Sequence, residues 1–181
     1  MEKEKASESE ILELLKRRDS LDAGLRLFIK VYGKDLYGFI ITLTHQQADA
    51  DEIFQETLIK LMDNVHSFKG LSSLKTWVWK IARNKTIDFQ RAVKRLSWVE
   101  SGGMEEFLKE DPYFNGDEWL TRLHSAVSEL PPTQREVFIL RYFENMNYDQ
   151  IAEITEKNKG TLKTSFHYAA AKVSEILKSH L

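Results

Sequence analysis

NYDQIAEITEKNKGTLKTSFHYAAAKV, residues 147–173, predicts two helices joined by a tight turn, and this motif decides the fold of the second half of the chain. Ile151, Ala152 and Ile154 give the first helix a small apolar face, and Ala152 is small enough to let a second helix approach closely. The segment EKNKG supplies a polar turn that contains a glycine, as a helix-turn-helix requires. We therefore predict a helix-turn-helix in this half of the chain.

The second helix of this motif offers short polar and basic groups near its start. That end of a recognition helix meets base edges, while amides and lysines hold phosphates. The groups in question are Lys159, Thr161, Lys163, Thr164, Ser165 and His167. DNA binding is one interpretation of this pattern, and an ordinary helical hairpin whose lysines are only solvated is the other.

Helical periodicity continues outside the motif. Apolar residues recur at helical spacing in residues 21–44, with a break expected near Gly33, and again in residues 48–68. Another helix is expected after the loop FKGLSS, residues 68–73, whose serines are candidates for its cap. Capped helix starts are indicated by three pairs of residues: Ser7 with Glu10, Thr133 with Glu136, and Asn147 with Gln150. The chain is therefore predicted to be all-α.

Residues 100–118 interrupt this helical pattern. They contain seven acidic residues against the single Lys109, together with three glycines and a proline. We expect an acidic linker here, which is either a solvated loop or a segment with a special role. The predicted organisation is two small helical domains, 1–97 and 119–181, joined by a linker over residues 98–118.

The composition narrows the classes of function. The 181 residues carry a formal net charge of −2, and 42% of them are hydrophobic, which is typical of a folded globular protein. Cysteine is absent, so disulfides and thiolate metal sites are excluded. No apolar run reaches the roughly 18 residues that a membrane span needs, and the start MEKEKASESE lacks the apolar core of a signal peptide. A cytoplasmic protein without membrane insertion is expected.

Neither catalysis nor a cofactor is expected from the motifs. The five histidines show no ligand spacing, and neither a Gly-rich phosphate loop nor a nucleophile motif occurs. Asp49, Asp51 and Glu52 are the nearest approach to a metal site, but no histidine or further carboxylate completes the set. No bound metal is therefore expected.

A second unusual segment is KTWVWKIARNKTIDFQRAVKR, residues 75–95, which contains seven Lys or Arg and the single acid Asp88. At 100° per residue, most apolar side chains form one broad face and the basic side chains gather opposite. Trp77 is assigned to the core, whereas Trp79 lies near the border of the faces and is open to a surface role. A basic stripe with an aromatic edge suits a nucleic-acid backbone and unpaired bases, and a merely solvated basic face is the alternative.

Four segments occur in order along the chain: RLFIKVYGKDLYGFI, ADADEIFQETLIKL, SFKGLSSLKTWVWKIARNKTIDFQR and LPPTQREVFILRYFENMNYDQIAEITEKNKGTLKTSFHYA. Together they resemble the extracytoplasmic-function group of bacterial RNA polymerase sigma factors, over residues 25–95 and 119–175. The linker is too short for the extra helical domain of larger sigma factors. The resemblance implies a subunit that binds core RNA polymerase and directs it to particular promoters. An ordinary helix-turn-helix regulator with a dimerisation or sensing domain is the alternative.

The resemblance also implies which residues make the contacts. Core polymerase would bind a helix through Asp49, Asp51, Glu52, Gln55, Glu56 and Ile59. The minus-ten promoter element would be recognised and opened by Phe68, Lys69, Gly70, Leu71, Ser72 and Ser73 in a loop, and by Trp79, Lys80, Arg83, Asn84 and Arg91 in a helix. The minus-thirty-five element would be read by Lys159, Gly160, Thr161, Lys163, Thr164, Ser165, His167 and Lys172. An anti-sigma factor of unknown identity is a further expected partner.

The last helix departs from the family pattern, because Ser165, Tyr168 and Ala170 stand where many relatives carry arginine. The resemblance therefore implies its place in the fold and leaves its base contacts open. The acidic linker would follow a basic channel of the polymerase and mimic nucleic acid there. Because the net charge is −2, the free protein is expected to bind duplex DNA weakly.

Overall fold

The computed structural model describes residues 7–97 and 118–179, and all regular structure within these two ranges is helical, which confirms the predicted all-α class. The chain divides into two compact units between Leu96 and Ser97. The helices of the first unit are α1 (Glu8–Lys16), α2 (Leu21–Thr44), α3 (Gln47–Asn64) and α4 (Leu74–Ser97), with a 3-10 turn at Val65–Ser67. The helices of the second are α5 (Glu118–Ser128), α6 (Pro132–Phe138), α7 (Tyr148–Thr155) and α8 (Lys159–Ser179), with a π-helical turn at Ile139–Phe143.

The first unit is built around one apolar core to which all four helices contribute. α2 packs against both α1 and α3. The largest fully buried side chains of this unit are Ile11, Leu15, Phe28, Leu36, Phe39, Ile40, Ile53, Leu61, Leu74 and Trp79. Burying an aliphatic or phenyl side chain completely stabilises a fold by about 1.5–3 kcal/mol. This core fixes the polar outer sides of α3 and α4 in place.

α2 runs without interruption through Gly33, so the break expected there is wrong. Gly33 is buried, and a Cβ atom built on it would lie 3.1 Å from the side chain of Ile29 and 3.9 Å from the ring of Phe54 on α3. A side chain at position 33 would therefore crowd Ile29 of the same helix, while its distance to Phe54 of α3 would be an ordinary van der Waals contact.

Of the three predicted capping pairs, Asn147 with Gln150 is confirmed in full, and Ser7 with Glu10 is confirmed for the Ser7 cap. The Ser7 hydroxyl accepts a hydrogen bond from the Glu10 N–H at 3.2 Å and caps α1. At the start of α7, the Asn147 side chain accepts from the Gln150 N–H, and the Gln150 side chain accepts in return from the Asn147 N–H. This reciprocal pair satisfies donors that a helix start otherwise leaves to water.

The third predicted cap, Thr133 with Glu136, is wrong. α6 begins at Pro132, so Thr133 already lies inside the helix, and the cap position is held by Pro131 without a side-chain hydrogen bond. Proline suits a first helical position, because its fixed φ matches the helix and its missing N–H would have no partner there.

The second unit contains the predicted helix-turn-helix, formed by α7 and α8. Glu156 ends α7 in the left-handed conformation, with a φ of 58°. The side chain of Asn158 accepts a hydrogen bond from the Thr161 N–H at 2.8 Å and so caps α8. The turn is therefore shorter than the segment EKNKG, and Lys159 and Gly160 belong to the first turn of α8.

Aromatic side chains join α6 to α8. The Phe138 ring stacks on that of Tyr142, with centroids 5.2 Å apart, and on that of Phe166 of α8 at 5.8 Å. The aliphatic part of the same core includes Leu123, Val127, Leu130, Leu140, Ile151, Ile154, Leu162 and Val173. This packing holds one side of α8 inside and leaves its other side to solvent.

The linker predicted over residues 98–118 lies outside the described residues, apart from Glu118, where α5 begins. Within the ranges that the structure covers, no helix is both long and apolar enough to cross a lipid bilayer.

Candidate nucleic-acid interfaces

The outer side of α3 forms what we call the acidic face: Asp49, Asp51, Glu52, Gln55, Glu56 and Ile59. Helical spacing places these residues on one side of α3, opposite the buried Ala50, Ile53, Thr57 and Leu61. Asp51, Glu52, Gln55 and Ile59 are exposed, and Ile59 shows 51% of its surface to solvent. Carboxylates around an exposed aliphatic side chain suit a protein partner that is basic and partly apolar.

Two carboxylates of the acidic face are held by neighbouring helices. The Tyr37 hydroxyl of α2 donates a hydrogen bond to the Asp51 carboxylate at 2.8 Å. The Lys85 ammonium of α4 lies 2.7 Å from a carboxylate oxygen of Glu56. Both carboxylates therefore have fixed positions before any partner binds.

Negative charge is concentrated at the start of α3. Burial raises the pKa of the Asp49 carboxyl, and the negative charge of Glu52 raises it further. Glu52 itself is exposed and makes no ion pair with any residue in the described ranges. A cation brought to this end of the face would relieve the repulsion between the two carboxylates.

The loop between the 3-10 turn and α4, residues 68–73, is called here the exposed loop. Its first residue is anchored, because the Phe68 ring is buried and packs on that of Trp77 with centroids 5.1 Å apart. Gly70 has a φ of 69°, and Leu71 leaves 91% of its surface in solvent. At the end of the loop, the Ser73 hydroxyl accepts a hydrogen bond from the Thr76 N–H at 3.0 Å, which confirms the predicted serine cap.

The expected surface role of Trp79 is contradicted by its burial. Its side chain is fully buried, packs edge-on against the Tyr32 ring at 6.2 Å and lies under the Lys75 ammonium at 5.0 Å. Trp77, which was assigned to the core, is only half-buried. Trp79 is therefore the core tryptophan, because α2 covers the border of α4 on which it lies, and Trp77 is partly covered by Phe68. Trp79 cannot stack on a base in this structure.

The remaining predicted residues of α4 share one stripe. Lys80, Arg83, Asn84 and Arg91 fall within about 100° of one another around the helix axis. Asn84 and Arg91 are exposed and the other two are half-buried. Arg91 lies 3.5 Å from the Asp88 carboxylate on the surface. This stripe and the exposed loop place cationic, polar and apolar groups on consecutive segments of the chain.

The start of α8 exposes most of the residues predicted to meet duplex DNA. The exposed ones are Lys159, Gly160, Thr161, Lys163, Thr164, His167 and Lys172, while Ser165 is half-buried at the edge of the face. Lys159 pairs with Asp149 of α7, and the Lys163 ammonium lies 5.9 Å from the Tyr148 ring. Lys172 lies further along α8 and donates to the Glu129 carbonyl at 3.4 Å. The centre of the face is thus formed by Lys163, Thr164 and His167.

Tyr168 belongs to the same exposed face, although it was not among the predicted contacts. It exposes 59% of its surface, and its ring lies 5.9 Å from that of His167. The signal was present in the sequence, since Tyr168 follows His167 and stands four residues before Lys172. An exposed aromatic ring next to cationic groups suits a nucleic-acid surface.

Comparison with known proteins matches two regions of the chain to described families. A family described as sigma-70 region 2 matches residues 28–96, and one described as sigma-70, region 4, matches residues 120–173. The RNA polymerase sigma factor SigV of Bacillus subtilis is 33% identical over 165 residues, which cover 90% of this chain and 95% of SigV. The ECF RNA polymerase sigma factor EcfG of Rhodopseudomonas palustris is 30% identical over 142 residues, 78% of each protein.

Solved structures extend the likeness to three dimensions. The sigma factor RpoE from Bartonella quintana, solved in complex with the anti-sigma factor NepR, matches with a TM-score of 0.75 and 28% identity over 87% of this chain and 96% of RpoE. CnrH, solved in complex with the cytosolic domain of CnrY, matches with a TM-score of 0.65 and 17% identity over 95% of each chain, a likeness of fold alone.

Proposed function

Since the chain belongs to the extracytoplasmic-function group of RNA polymerase sigma factors, we propose that its three exposed surfaces divide the work of promoter-specific transcription initiation. The acidic face of α3 holds core RNA polymerase. The exposed loop, with the stripe on α4, recognises and opens the minus-ten element. The start of α8 reads the minus-thirty-five element. The observation that carries the proposal is that both sigma-70 regions occur in order in one chain, each with its polar surface exposed.

Binding of core polymerase to α3 follows from charge and shape. Glu52 and Gln55 are exposed beside Ile59, so the face offers a charged, a polar and an apolar contact within about two helical turns. Charge complementarity speeds encounter and fixes register, whereas desolvation of the apolar side chain adds affinity.

Opening of the minus-ten element needs binding energy and no ATP. Extruding a base from the duplex costs a few kcal/mol. The Leu71 side chain offers an apolar surface for such a base and the loop backbone offers hydrogen-bonding groups, while Arg83 and Arg91 of α4 attract the strand from which it came. The chain thus acts as an initiation factor, and we propose that it is not itself a catalyst: the polymerase performs the chemistry, in the cytoplasm where that enzyme works.

The face of α8 proposed to recognise duplex DNA carries few positively charged side chains. Lys163 contacts phosphate, while Thr164 and His167 face base edges near the helix start. With a net charge of −2 for the whole chain, binding of duplex DNA by the free protein is weak. Polymerase supplies the remaining contacts.

An anti-sigma factor is the proposed means of control. RpoE of Bartonella quintana, whose fold this chain shares at 28% identity, was solved with the anti-sigma factor NepR. A protein that covers the acidic face would keep core polymerase away. If Glu52→Ala weakened the binding of a candidate inhibitor and of core polymerase alike, competition for one face would be supported; an inhibitor that binds together with core polymerase would contradict it.

Reconstitution tests the proposed function directly. Promoters are first found by mapping transcript starts after overexpression of the protein. The purified chain is then added to core polymerase on one such promoter, and promoter-dependent transcripts are expected only when both are present. Binding of this DNA by the chain alone, without any stimulation of core polymerase, would indicate an ordinary helix-turn-helix regulator and overturn the proposal.

A further inference from the structure

We infer that α1 is a brace for the exposed loop: Glu8 and Lys16 fix its two ends and so position Leu71 for discrimination between minus-ten bases. This inference rests on the proposed function of the loop. α1 precedes residues 28–96, the part matched by sigma-70 region 2, and none of its residues belongs to the three surfaces described above.

The first contact lies where the loop ends. The Glu8 carboxylate accepts a hydrogen bond from the backbone N–H of Leu74, the first residue of α4. Two residues further along, the Thr76 N–H donates a hydrogen bond to the Ser73 hydroxyl. Two donors at the start of α4 are therefore satisfied, one from within the loop and one from α1. The negative charge of Glu8 also lies at the positive end of the α4 dipole, which strengthens the contact.

The second contact lies where the loop begins. The Lys16 ammonium donates to the carbonyl oxygen of Phe68 at 3.5 Å, which is a long and therefore weak hydrogen bond. α1 also packs against the 3-10 turn at Val65–Ser67, which leads directly into the loop. Both ends of the loop are thus attached to the same helix.

The middle of the loop lies between the two contacts. Leu71 is 91% exposed there, and Gly70 turns the backbone with a φ of 69°. The contacts from α1 therefore hold the residues on either side of an exposed tip.

α1 does not need these two contacts in order to fold onto the domain. Ile11 and Leu15 are fully buried, and they dock the helix through its apolar side. The polar contacts of Glu8 and Lys16 instead order a segment whose own tip lies in solvent. Ordering a loop before binding reduces the conformational entropy that binding must overcome, and it makes the fit of the wrong base worse.

The test compares variants in the complete holoenzyme. The rate of open-complex formation is measured on a mapped promoter and on the same promoter with one minus-ten base replaced, and the ratio of the two rates is the readout. Glu8→Ala is expected to lower this ratio by a factor of about 3 to 10, as the loss of one ordinary hydrogen bond allows, and Lys16→Ala should lower it by less, because its hydrogen bond is longer. Affinity for core polymerase should stay unchanged, because the acidic face is untouched.

Three further variants separate positioning from charge and from stability. Glu8→Gln keeps an acceptor oxygen on a side chain of the same length. Its ratio of open-complex rates should therefore stay close to that of the unmodified protein. Glu8→Asp keeps the charge but is one methylene shorter, and it should behave like Glu8→Ala. Glu10→Ala removes another carboxylate from the same first turn of α1 and is the matched control, with no expected change.

The outcomes distinguish this inference from the proposed function. If Glu8→Ala and Lys16→Ala slow both promoters equally or leave both rates unchanged, the brace does not act on discrimination and the inference is wrong. Leu71→Ala is the reference variant for the loop. A lower ratio in Leu71→Ala with an unchanged ratio in both brace variants would overturn the inference alone, whereas an unchanged ratio in Leu71→Ala would overturn the proposed role of the loop.

Discussion

The Lys85 ammonium lies 2.7 Å from the Glu56 carboxylate, and this ion pair joins α4, the proposed minus-ten helix, to the acidic face of α3. The two side chains are 28% and 46% exposed, so water partly screens their attraction. The pair partly neutralises one carboxylate of the proposed polymerase surface, and Lys85 lies outside the stripe of α4 proposed to meet DNA. We therefore expect the ion pair to fix the position of α4 relative to α3 more than it stabilises the fold.

We predict a small stability effect for this pair. Lys85→Ala should lower the free energy of unfolding by about 0.2–1 kcal/mol, as for other partly exposed ion pairs. Urea denaturation of the single variants Lys85→Ala and Glu56→Ala and of the double variant gives the coupling energy. Lys60→Ala, an exposed lysine of α3, is the control and should be neutral. A coupling energy of zero would show that the contact contributes nothing in solution.

The acidic face should not respond uniformly to substitution. Because Lys85 already pairs with Glu56 and Glu52 has no such pairing in the described ranges, Glu52→Ala should weaken core polymerase binding more than Glu56→Ala. We expect a loss of about tenfold for Glu52→Ala and a similar one for Ile59→Ala, each near 1.4 kcal/mol. Titration of labelled protein with core polymerase measures both.

The control for this series is Asp35→Ala, which removes an exposed carboxylate from α2. It should leave polymerase affinity unchanged. Equal losses in Glu52→Ala and Asp35→Ala would mean that overall charge matters and the position on α3 does not.

Trp79 and Leu71 should separate stability from function. Trp79→Ala removes a fully buried ring and should destabilise the first unit by about 3–5 kcal/mol. Leu71→Ala changes a side chain that is 91% exposed and should alter stability by no more than about 0.5 kcal/mol, while it slows promoter opening. Thermal unfolding and open-complex rates measure the two effects. A stable, folded Trp79→Ala protein that is defective only in opening would restore the rejected surface role.

Two glycines offer a matched test of backbone conformation. Gly70 has a φ of 69°, so alanine there should cost about 1–2 kcal/mol through strain, although a Cβ would meet nothing within 4 Å. Gly38 lies inside α2, and a Cβ there also meets nothing within 4 Å, so Gly38→Ala should stabilise the protein by about 0.4–1 kcal/mol. Denaturation of both variants gives the comparison. A Gly70→Ala protein as stable as the Gly38→Ala protein would contradict the left-handed conformation of Gly70.

Although periodicity and capping patterns failed for the break at Gly33 and the cap at Thr133, they identified the helix-turn-helix and most helices, because both depend on residues within a few positions of one another. Asn147 with Gln150 is such a case, and its reciprocal bonds are present. A helical projection did not identify the burial of Trp79, since it has no information on which neighbouring helix covers each side. The Glu8 contact with Leu74 joins residues 66 positions apart, and no local pattern in the chain indicates it. The predicted contact residues on α3, α4 and α8 stay predictions until partners are bound.

Lys163 and Thr164 should differ in the way they affect binding of the minus-thirty-five element. Lys163 is an exposed cation at the centre of the α8 face, so Lys163→Ala should weaken holoenzyme binding about equally on all sequences. The slope of the logarithm of the binding constant against the logarithm of salt concentration should become shallower by about one. Thr164→Ala should instead change the preference among bases, at a cost of about 1–3 kcal/mol on the preferred sequence. Binding is measured over a series of salt concentrations on the mapped promoter and on its minus-thirty-five variants. Lys178→Ala removes an exposed lysine at the far end of α8 and should change neither quantity. If Lys178→Ala lowered the salt slope as much as Lys163→Ala, the duplex would lie along the whole helix, and the proposed docking by its first turns would be wrong.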